Sequence, residues 1–346
     1  MAQSLHVLEA VDADMGRWDA YVQHAPGASA YHQAAWRRVL ENNFGHRTFY
    51  LMAHRGDEIV GVLPLALVSS RLFGRYLVSL PFLTYGGICA EDEQVVEVLA
   101  QRAADVAEEC RAAHVELRHV SRQLRLPTRE TKSSLWLALP RDADSLWKAL
   151  DAKVRNQVRK AQKSGLAARE EGSESVHAFH RIYTANMRDL GSPPHTRTFF
   201  RSVLDAFPGS SHVFLVWQGP LAVAGALALQ FRDRLEVPWA ASLRDARPLC
   251  PNNLLYWTML SWACEKGCSV FDFGRSTVDS GTYRFKLQWG ARPQPLHWQY
   301  LLREGQPMPA LNPDNPRFRW AIECWKRLPL SVTTWLGPRL LRGLPG

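Results

Sequence analysis

Apolar and polar residues recur along this chain in two rhythms, one of period two and one near three and a half. The same succession of rhythms appears twice. In the first section, residues 31–43 (YHQAAWRRVLENN) read as a short helix and residues 47–54 (RTFYLMAH) as a strand. The turn Arg55-Gly56-Asp57-Glu58 leads into a second apolar run over 59–68, which is a hairpin signature. A third run, 75–82, precedes the turn Tyr85-Gly86-Gly87. Over 92–113 the apolar positions Val95, Val98, Leu99, Ala103, Val106 and Cys110 return at three and four, predicting an amphipathic helix. A short strand at 114–120 follows.

The later section repeats this order. A strand at 212–217 meets the turn Gln218-Gly219-Pro220, and a second strand covers 221–231. A third, 235–241, carries Pro238, which predicts a bulge or an edge because proline cannot donate to the ladder. A helix over 253–266 and a strand over 269–274 complete the set. Laid over each other, the sections place Glu116 opposite Asp272 and Val60 opposite Val223, at offsets of 156 and 163. The pattern predicts a duplicated α/β half with mixed sheets, about 150 residues long, the size of one domain.

Between the halves, 145–164 reads as one basic helix. Leu146, Trp147, Leu150, Val154, Val158 and Ala161 form its apolar stripe, and Arg155, Arg159 and Lys163 form a ridge at i, i+4, i+8. The predicted boundaries are therefore 1–144, 145–310 and a basic, tryptophan-bearing tail, 311–346. The 346 residues contain 42 Lys and Arg against 33 Asp and Glu, a formal charge of +9, which suits an anionic partner: a phosphate-bearing donor, RNA or an anionic membrane face. The six cysteines form no CxxC pair, which predicts buried free thiols and no metal centre. The first residues lack an apolar signal core, and no stretch reaches the length of a membrane span. The expectation is a cytoplasmic protein, with the tail, 317–346, available for peripheral contact with the inner membrane.

Candidate chemistry concentrates in 271–290, FDFGRSTVDSGTYRFKLQWG. Asp272 lies between two phenylalanines, where an acid is either paired or functional, and Arg275 is its nearest candidate partner. After a loop ending at Gly281, alternation predicts a strand with Tyr283, Phe285 and Leu287 on one side and Arg284, Lys286 and Gln288 on the other, leading to Trp289. A lysine beside a glycine-bearing loop suits the oxyanion formed when an ester or thioester carbonyl is attacked. Pro251-Asn252-Asn253 opens the helix that carries Tyr256. Asn252 is its predicted N-cap, and the free N–H groups there suit a phosphate. His195, in the loop of NMRDLGSPPHTRTFF, is a candidate general base. No P-loop, dinucleotide fingerprint, nucleophile elbow or zinc-spaced cluster is present, so kinase, redox and metalloprotease readings have no support.

The stretch FDFGRSTVDSGTYRFKLQWGA resembles the C-terminal signature of the Fem-like aminoacyltransferases, within the GNAT superfamily. Together with KVRNQVRKAQKSGL, NMRDLGSPPHTRTFF, LPFLTYGG and PNNLLYW, it is similar to a subgroup associated with exosortase (PEP-CTERM) and exopolysaccharide loci. The resemblance implies two fused GNAT domains and an acyltransferase. Its donor would be acyl-CoA or aminoacyl-tRNA, and its acceptor an anionic cell-envelope or saccharide precursor. It maps the family's transfer-assisting lysine onto Lys286, with Asp272 and Arg275 beside it. Arg155, Arg159 and Tyr85 would face the acceptor, and His195, Asn252, Asn253, Tyr256, Gly281, Tyr283 and Trp289 would line the substrates. No heptad-patterned stretch is present, so the long helical arm of some members has no counterpart. Two other readings come from the residues themselves: a non-catalytic module holding a lipid-linked saccharide or membrane partner through the tail, and RNA binding through the basic ridge.

Overall fold

A computed structural model describes residues 4–70, 73–303, 305–309 and 316–344. Two compact units divide the chain. One comprises Met1–Lys132, Pro295–Ala310 and Arg342–Gly346, and the other Ser133–Gln294 and Leu311–Leu341. The first unit runs β1 (Leu5–Glu9), α1 (Met15–His24), α2 (Trp36–Phe44), β2 (Arg47–Arg55), β3 (Glu58–Ser70), β4 (Gly74–Val78), β5 (Cys89–Ala90), α3 (Glu93–Glu109), β6 (His114–His119) and β7 (Thr128–Arg129). The second runs β8 (Lys132–Ala138), α4 (Ala143–Ala149), α5 (Ala152–Lys163), β9 (Leu166–Glu171), α6 (Val176–Leu190), α7 (Arg197–Ala206), β10 (Ser211–Gln218), β11 (Leu221–Phe231) and β12 (Arg234–Ser242). It continues through α8 (Pro251–Glu265), β13 (Val270–Asp272), β14 (Ser276–Thr277), α9 (Gly281–Leu287) and β15 (Arg292–Pro295). Strand β16 (His297–Leu302) returns to the first unit, and α10 (Pro316–Arg327) and α11 (Leu330–Leu341) belong to the second.

Each unit holds an eight-stranded mixed sheet. The first is ordered β1-β2-β3-β4-β6-β16-β7, with β5 on β3, and the second β14-β8-β13-β12-β11-β10-β9, with β15 on β8. Six strands correspond one to one, and in both sets a single pair is parallel, β4 with β6 and β12 with β13. The duplication read from the sequence is therefore a duplication of topology. Glu116 lies on β6 and Asp272 on its counterpart β13, while Val60 and Val223 lie on the counterparts β3 and β11. The strand beside β6 is β16, from after the second unit, and the strand beside β13 is β8, which directly follows the first. The first sheet thus takes its sixth strand from beyond the second unit, whereas the second sheet takes its own from the residues just ahead of α4. For this reason the units depart from boundaries at 144 and 310: residues 133–138 serve the second sheet and 297–302 the first. Of the predicted tail, 311–315 and 345–346 lie outside the described residues.

The second unit's sheet is covered on both faces. Phe214, Val216, Ala224, Ala226 and Val237 join the core built with α5 and α8. The alternate positions face α6, where a Cβ on Gly225 would stand 3.2 Å from the Phe179 ring. Burial on both faces explains why β11 reads as a near-continuous apolar run. In the first unit α3, capped by Asp92 accepting the Val95 N–H, buries Val95, Leu99, Ala103 and Val106 against β2, β3 and β6.

The parallel pairs are short, and both open into a wedge. In the second unit the register runs Arg234↔Val270, Leu235↔Phe271 and Glu236↔Asp272 and then stops, although β12 continues to Ser242. The β11–β12 ladder slips one residue between Leu227↔Trp239 and Leu229↔Glu236, so Pro238 sits in a bulge, as its chemistry requires. In the first unit the register ends at Val78↔Glu116, and the loop 79–88 fills the space. Arg118 is fully buried there. It donates to Glu116 at 2.8 Å and to the Leu83 carbonyl at 2.7 Å, and it stacks on Trp298 at 4.2 Å. Tyr300 donates to the other Glu116 oxygen at 3.0 Å. This wedge is plugged by an ion pair.

Two predicted elements take other forms. The basic helix over 145–164 breaks at Leu150, which is extended (ψ 147°) and buried, and Asp151 recaps the chain by accepting the Lys153 N–H. The predicted strand over 283–289 is the helix α9. Ser280 caps it by accepting the Tyr283 N–H, and this local bond outweighs the apparent alternation.

Candidate active site

The open wedge of the second unit holds the residues of greatest chemical interest. Gly274, two residues past the end of β13, has φ +73°, and a Cβ there would meet the Val237 carbonyl at 2.6 Å, so only glycine lets the chain leave at that point. The turn brings the carbonyls of Gly274 and Arg275 to face α9. Lys286, the next-to-last residue of that helix, donates to them at 2.7 and 3.2 Å. Its side chain is buried, with 7% exposure. An ammonium has three N–H bonds, and these two acceptors leave one for a ligand.

Electrostatics around Lys286 are set mainly by burial, which pushes its amine down from 10.5 to about 8. The Asp272 carboxylate opposes this, Arg275 adds to it, and Glu236 opposes it. Asp272 is fully buried and fixed by Ser134 Oγ at 2.5 Å, Trp136 Nε1 at 2.7 Å and the Gly274 N–H at 2.8 Å. The strand β8 supplies two of these donors, so that strand positions the acid beside the lysine. Sequence reasoning missed Glu236, Ser134 and Trp136. The available signal was an acid inside the apolar run LEVPWAA, directly opposite Asp272 in the parallel register.

Under α9 the aromatic rings form a floor. Tyr256 stacks on Phe273 at 5.3 Å and lies 5.4 Å from Phe285 and 6.3 Å from Trp289. Burial pushes its phenol up, so it stays protonated. The Trp289 indole N–H is buried without a partner, as is Arg155 Nε on α5. Trp289 also lines a cleft of about 530 Å³ with Asp151, Lys153 and Val154 at the start of α5 and Leu287, Gln288 and Gly290 at the end of α9. An open cleft with Lys153 and Asp151 among its lining residues suits a polar ligand.

The structure therefore gathers Asp272, Arg275, Tyr256, Lys286 and Trp289 at one place, with Gly281 exposed at the first turn of α9 and Tyr283 half-buried against the core. Other predicted residues sit elsewhere. Cys250, not Asn252, caps α8, in a left-handed conformation, and Pro251 removes one N–H from the first turn, which weakens that end as a phosphate cradle. Asn253 is buried and donates to Gln157 on α5 at 3.0 Å. Arg159 is exposed, its guanidinium 5.5 Å from the Trp147 ring. His195 stacks on Phe199 at 4.3 Å inside an aromatic cluster, where burial and His180 push it down to about 3. A ring so weakly basic and enclosed makes a poor general base. Tyr85 is buried in the first unit, 5.6 Å from Tyr31. Among the described residues no group of three or more His, Cys, Asp or Glu is placed to hold a metal ion. No helix among them is long and apolar enough to cross a membrane.

Residues 151–287 match the family model of the acetyltransferase (GNAT) domain, the stretch that runs from the cap of α5 to the end of α9. No curated protein matches the chain in sequence. Among solved structures, FemX is similar over 86% of this chain and 97% of its own, with a TM-score of 0.67 and 15% identity. A tandem GNAT protein from the clavulanic acid biosynthesis pathway covers 88% and 99%, with a TM-score of 0.55 and 12% identity. The fold is a tandem pair of GNAT-like domains. L-PGS from Bacillus licheniformis is also similar, over 96% of this chain and 97% of its own, with a TM-score of 0.56 and 12% identity. The GNAT match spans the unit whose wedge is open and leaves out the unit whose wedge is plugged.

Proposed function

We propose that the second GNAT-like unit is an acyltransferase in which Lys286 stabilises the charge that develops when an activated acyl group changes hands. The observation that carries this is a buried lysine, held by two carbonyls where β12 and β13 part, with one N–H still to give. An amine or hydroxyl of the acceptor attacks the donor carbonyl, and a tetrahedral oxyanion forms. The carbon–sulfur bond of a thioester, or the carbon–oxygen bond of an ester, then breaks as the carbonyl re-forms. The Lys286 ammonium donates to the oxyanion or protonates the leaving sulfur or oxygen, and the attacking group's proton passes to solvent or to a nearby base. Proximity and charge stabilisation carry the transfer, with no covalent intermediate on the protein.

The donor in this reading is acyl-CoA or aminoacyl-tRNA. The GNAT match favours a CoA thioester, and the resemblance of 271–291 to the Fem-like aminoacyltransferases supports an aminoacyl ester. The weak phosphate cradle at α8 shifts the search for the donor's phosphates toward the start of α5, where Lys153 lines the cleft. The acceptor is a cell-envelope or exopolysaccharide precursor, of the kind implied by the resemblance to the exosortase-associated subgroup. A thermal-shift panel of free CoA, acyl-CoAs and stable aminoacyl-tRNA analogues identifies the donor, because a ligand of the native state raises the melting temperature in proportion to its saturation. With that donor, Lys286→Ala lowers transfer to an amine acceptor at least about tenfold, about 1.4 kcal/mol of barrier, with circular dichroism unchanged. Wild-type turnover in the variant removes Lys286 from the reaction.

A further inference from the structure

Exposed apolar side chains are unevenly spread over this molecule. Ten large hydrophobic residues are exposed among the described residues, and four of them (Trp320, Val332, Trp335 and Leu340) belong to α10 and α11. Trp320 at 72% and Trp335 at 63% are the most exposed of the ten. Tryptophan is rarely left in water to this extent without a partner surface.

Both helices bury one side and turn the tryptophan away from it. On α10, Ile322 and the stem of Lys326 lie against the end of α6, where a Cβ on Gly191 would come within 2.5 Å of Ile322 Cγ2 and 3.3 Å of Lys326 Cε. At 3.6 residues per turn Trp320 points about 160° from Ile322. On α11 the buried residues Thr333, Gly337 and Leu341 recur every fourth position, and a Cβ on Gly337 would meet Pro194 Cδ at 2.4 Å. Trp335 points about 160° from Gly337 by the same count.

Basic residues outnumber acids on the two helices. Glu323 is ion-paired with Lys326 at 2.7 Å, while Arg319, Arg327 and Arg339 make no ion pair among the described residues. Arg327 projects about 20° from Trp320 on the wheel. The Arg339 guanidinium lies 4.3 Å from the Trp335 ring centroid, so cation and ring present themselves together. Indole rings with a polar edge favour the headgroup level of a bilayer, and guanidinium groups pair with lipid phosphate.

We infer that the outward faces of α10 and α11 dock on an anionic lipid bilayer, with Trp320 and Trp335 seated at headgroup depth and Arg327 and Arg339 against the phosphates. Arg327 and Arg339 share the side of a tryptophan, and a neutral bilayer offers a guanidinium little. The test is co-sedimentation of the full chain with vesicles of phosphatidylcholine alone, or of phosphatidylcholine mixed with phosphatidylglycerol. The wild type pellets with the mixed vesicles, and added salt weakens that binding. The double variants Trp320→Ser/Trp335→Ser and Arg327→Gln/Arg339→Gln each lose binding on the order of tenfold while melting as the wild type does, because these side chains are exposed. Failure of the wild type to bind mixed vesicles overturns the inference, as does equal binding by the variants. A dimer in sedimentation velocity that the tryptophan variant abolishes, without vesicle binding by the wild type, assigns the face to a second copy of this chain and also overturns it.

Discussion

Replacing Lys286 by methionine separates the thermodynamics of the site from its chemistry. In the unfolded chain this amine titrates near 10.5, and in the native protein burial brings it to about 8. At about 1.4 kcal/mol per pH unit, that difference is roughly 3 kcal/mol against the charged form. Between these two values the unfolded state binds the proton and the native state does not, so stability falls as pH drops from 10.5 toward 8. Below about 8 both states are protonated and the penalty is fully present. Lys286→Met has nothing to titrate. Its stability relative to wild type should therefore improve by roughly 3 kcal/mol between pH 10.5 and pH 7.5, whatever the constant cost of the lost bonds to Gly274 and Arg275. Urea unfolding of both proteins at the two pH values, followed by circular dichroism, gives this difference of differences. A value within about 0.5 kcal/mol of zero refutes the claim that Lys286 is a desolvated cation, and the oxyanion role falls with it.

The kinetic counterpart is an alkaline limb: transfer should decline above about pH 8 as Lys286 loses its proton. Asp272 is the leading charge that raises this amine, so Asp272→Asn should move the limb to lower pH in a pH–rate profile, and an unmoved or upward-shifted limb contradicts the assignment. In the plugged wedge of the first unit, Arg118→Met strands the Glu116 charge and should cost about 3–5 kcal/mol of stability by urea unfolding. Adding Glu116→Gln should recover part of this, and a single-variant loss below about 1 kcal/mol would mean the pair is not what closes the wedge.

The repeating strands were legible because their period is local: Arg55–Glu58 and Gln218–Pro220 sit between apolar runs, and both are hairpins. Pro238 announced its bulge because a proline has only a few places to go in a sheet. The position of Lys286 was legible while its setting was not. In GTYRFKL the apolar residues fall at every second position, which imitates a strand, yet the Ser280 cap and the glycine start a helix. The break at Leu150 was hidden because the apolar stripe continues across it. Asp272 was noticed, but two of its partners, Ser134 and Trp136, lie more than 130 residues away on a strand that no local window can pair with it. Glu236 escaped notice because its significance comes only from the parallel register.

The placement of β16 constrains how this chain comes into being. While the ribosome is still making the second unit, the first sheet ends at β6 with a bare row of hydrogen-bonding groups, and that edge waits for residue 297 to emerge. Truncation before that point leaves the nascent first sheet open to pairing with a stranger. A contiguous piece cut to the limits of either repeat carries the same defect, since 151–287 leaves behind the strand that fastens Asp272. The strands of the second sheet all lie within 132–295, so the dependence runs one way: β16 ties the first sheet to the completion of the second.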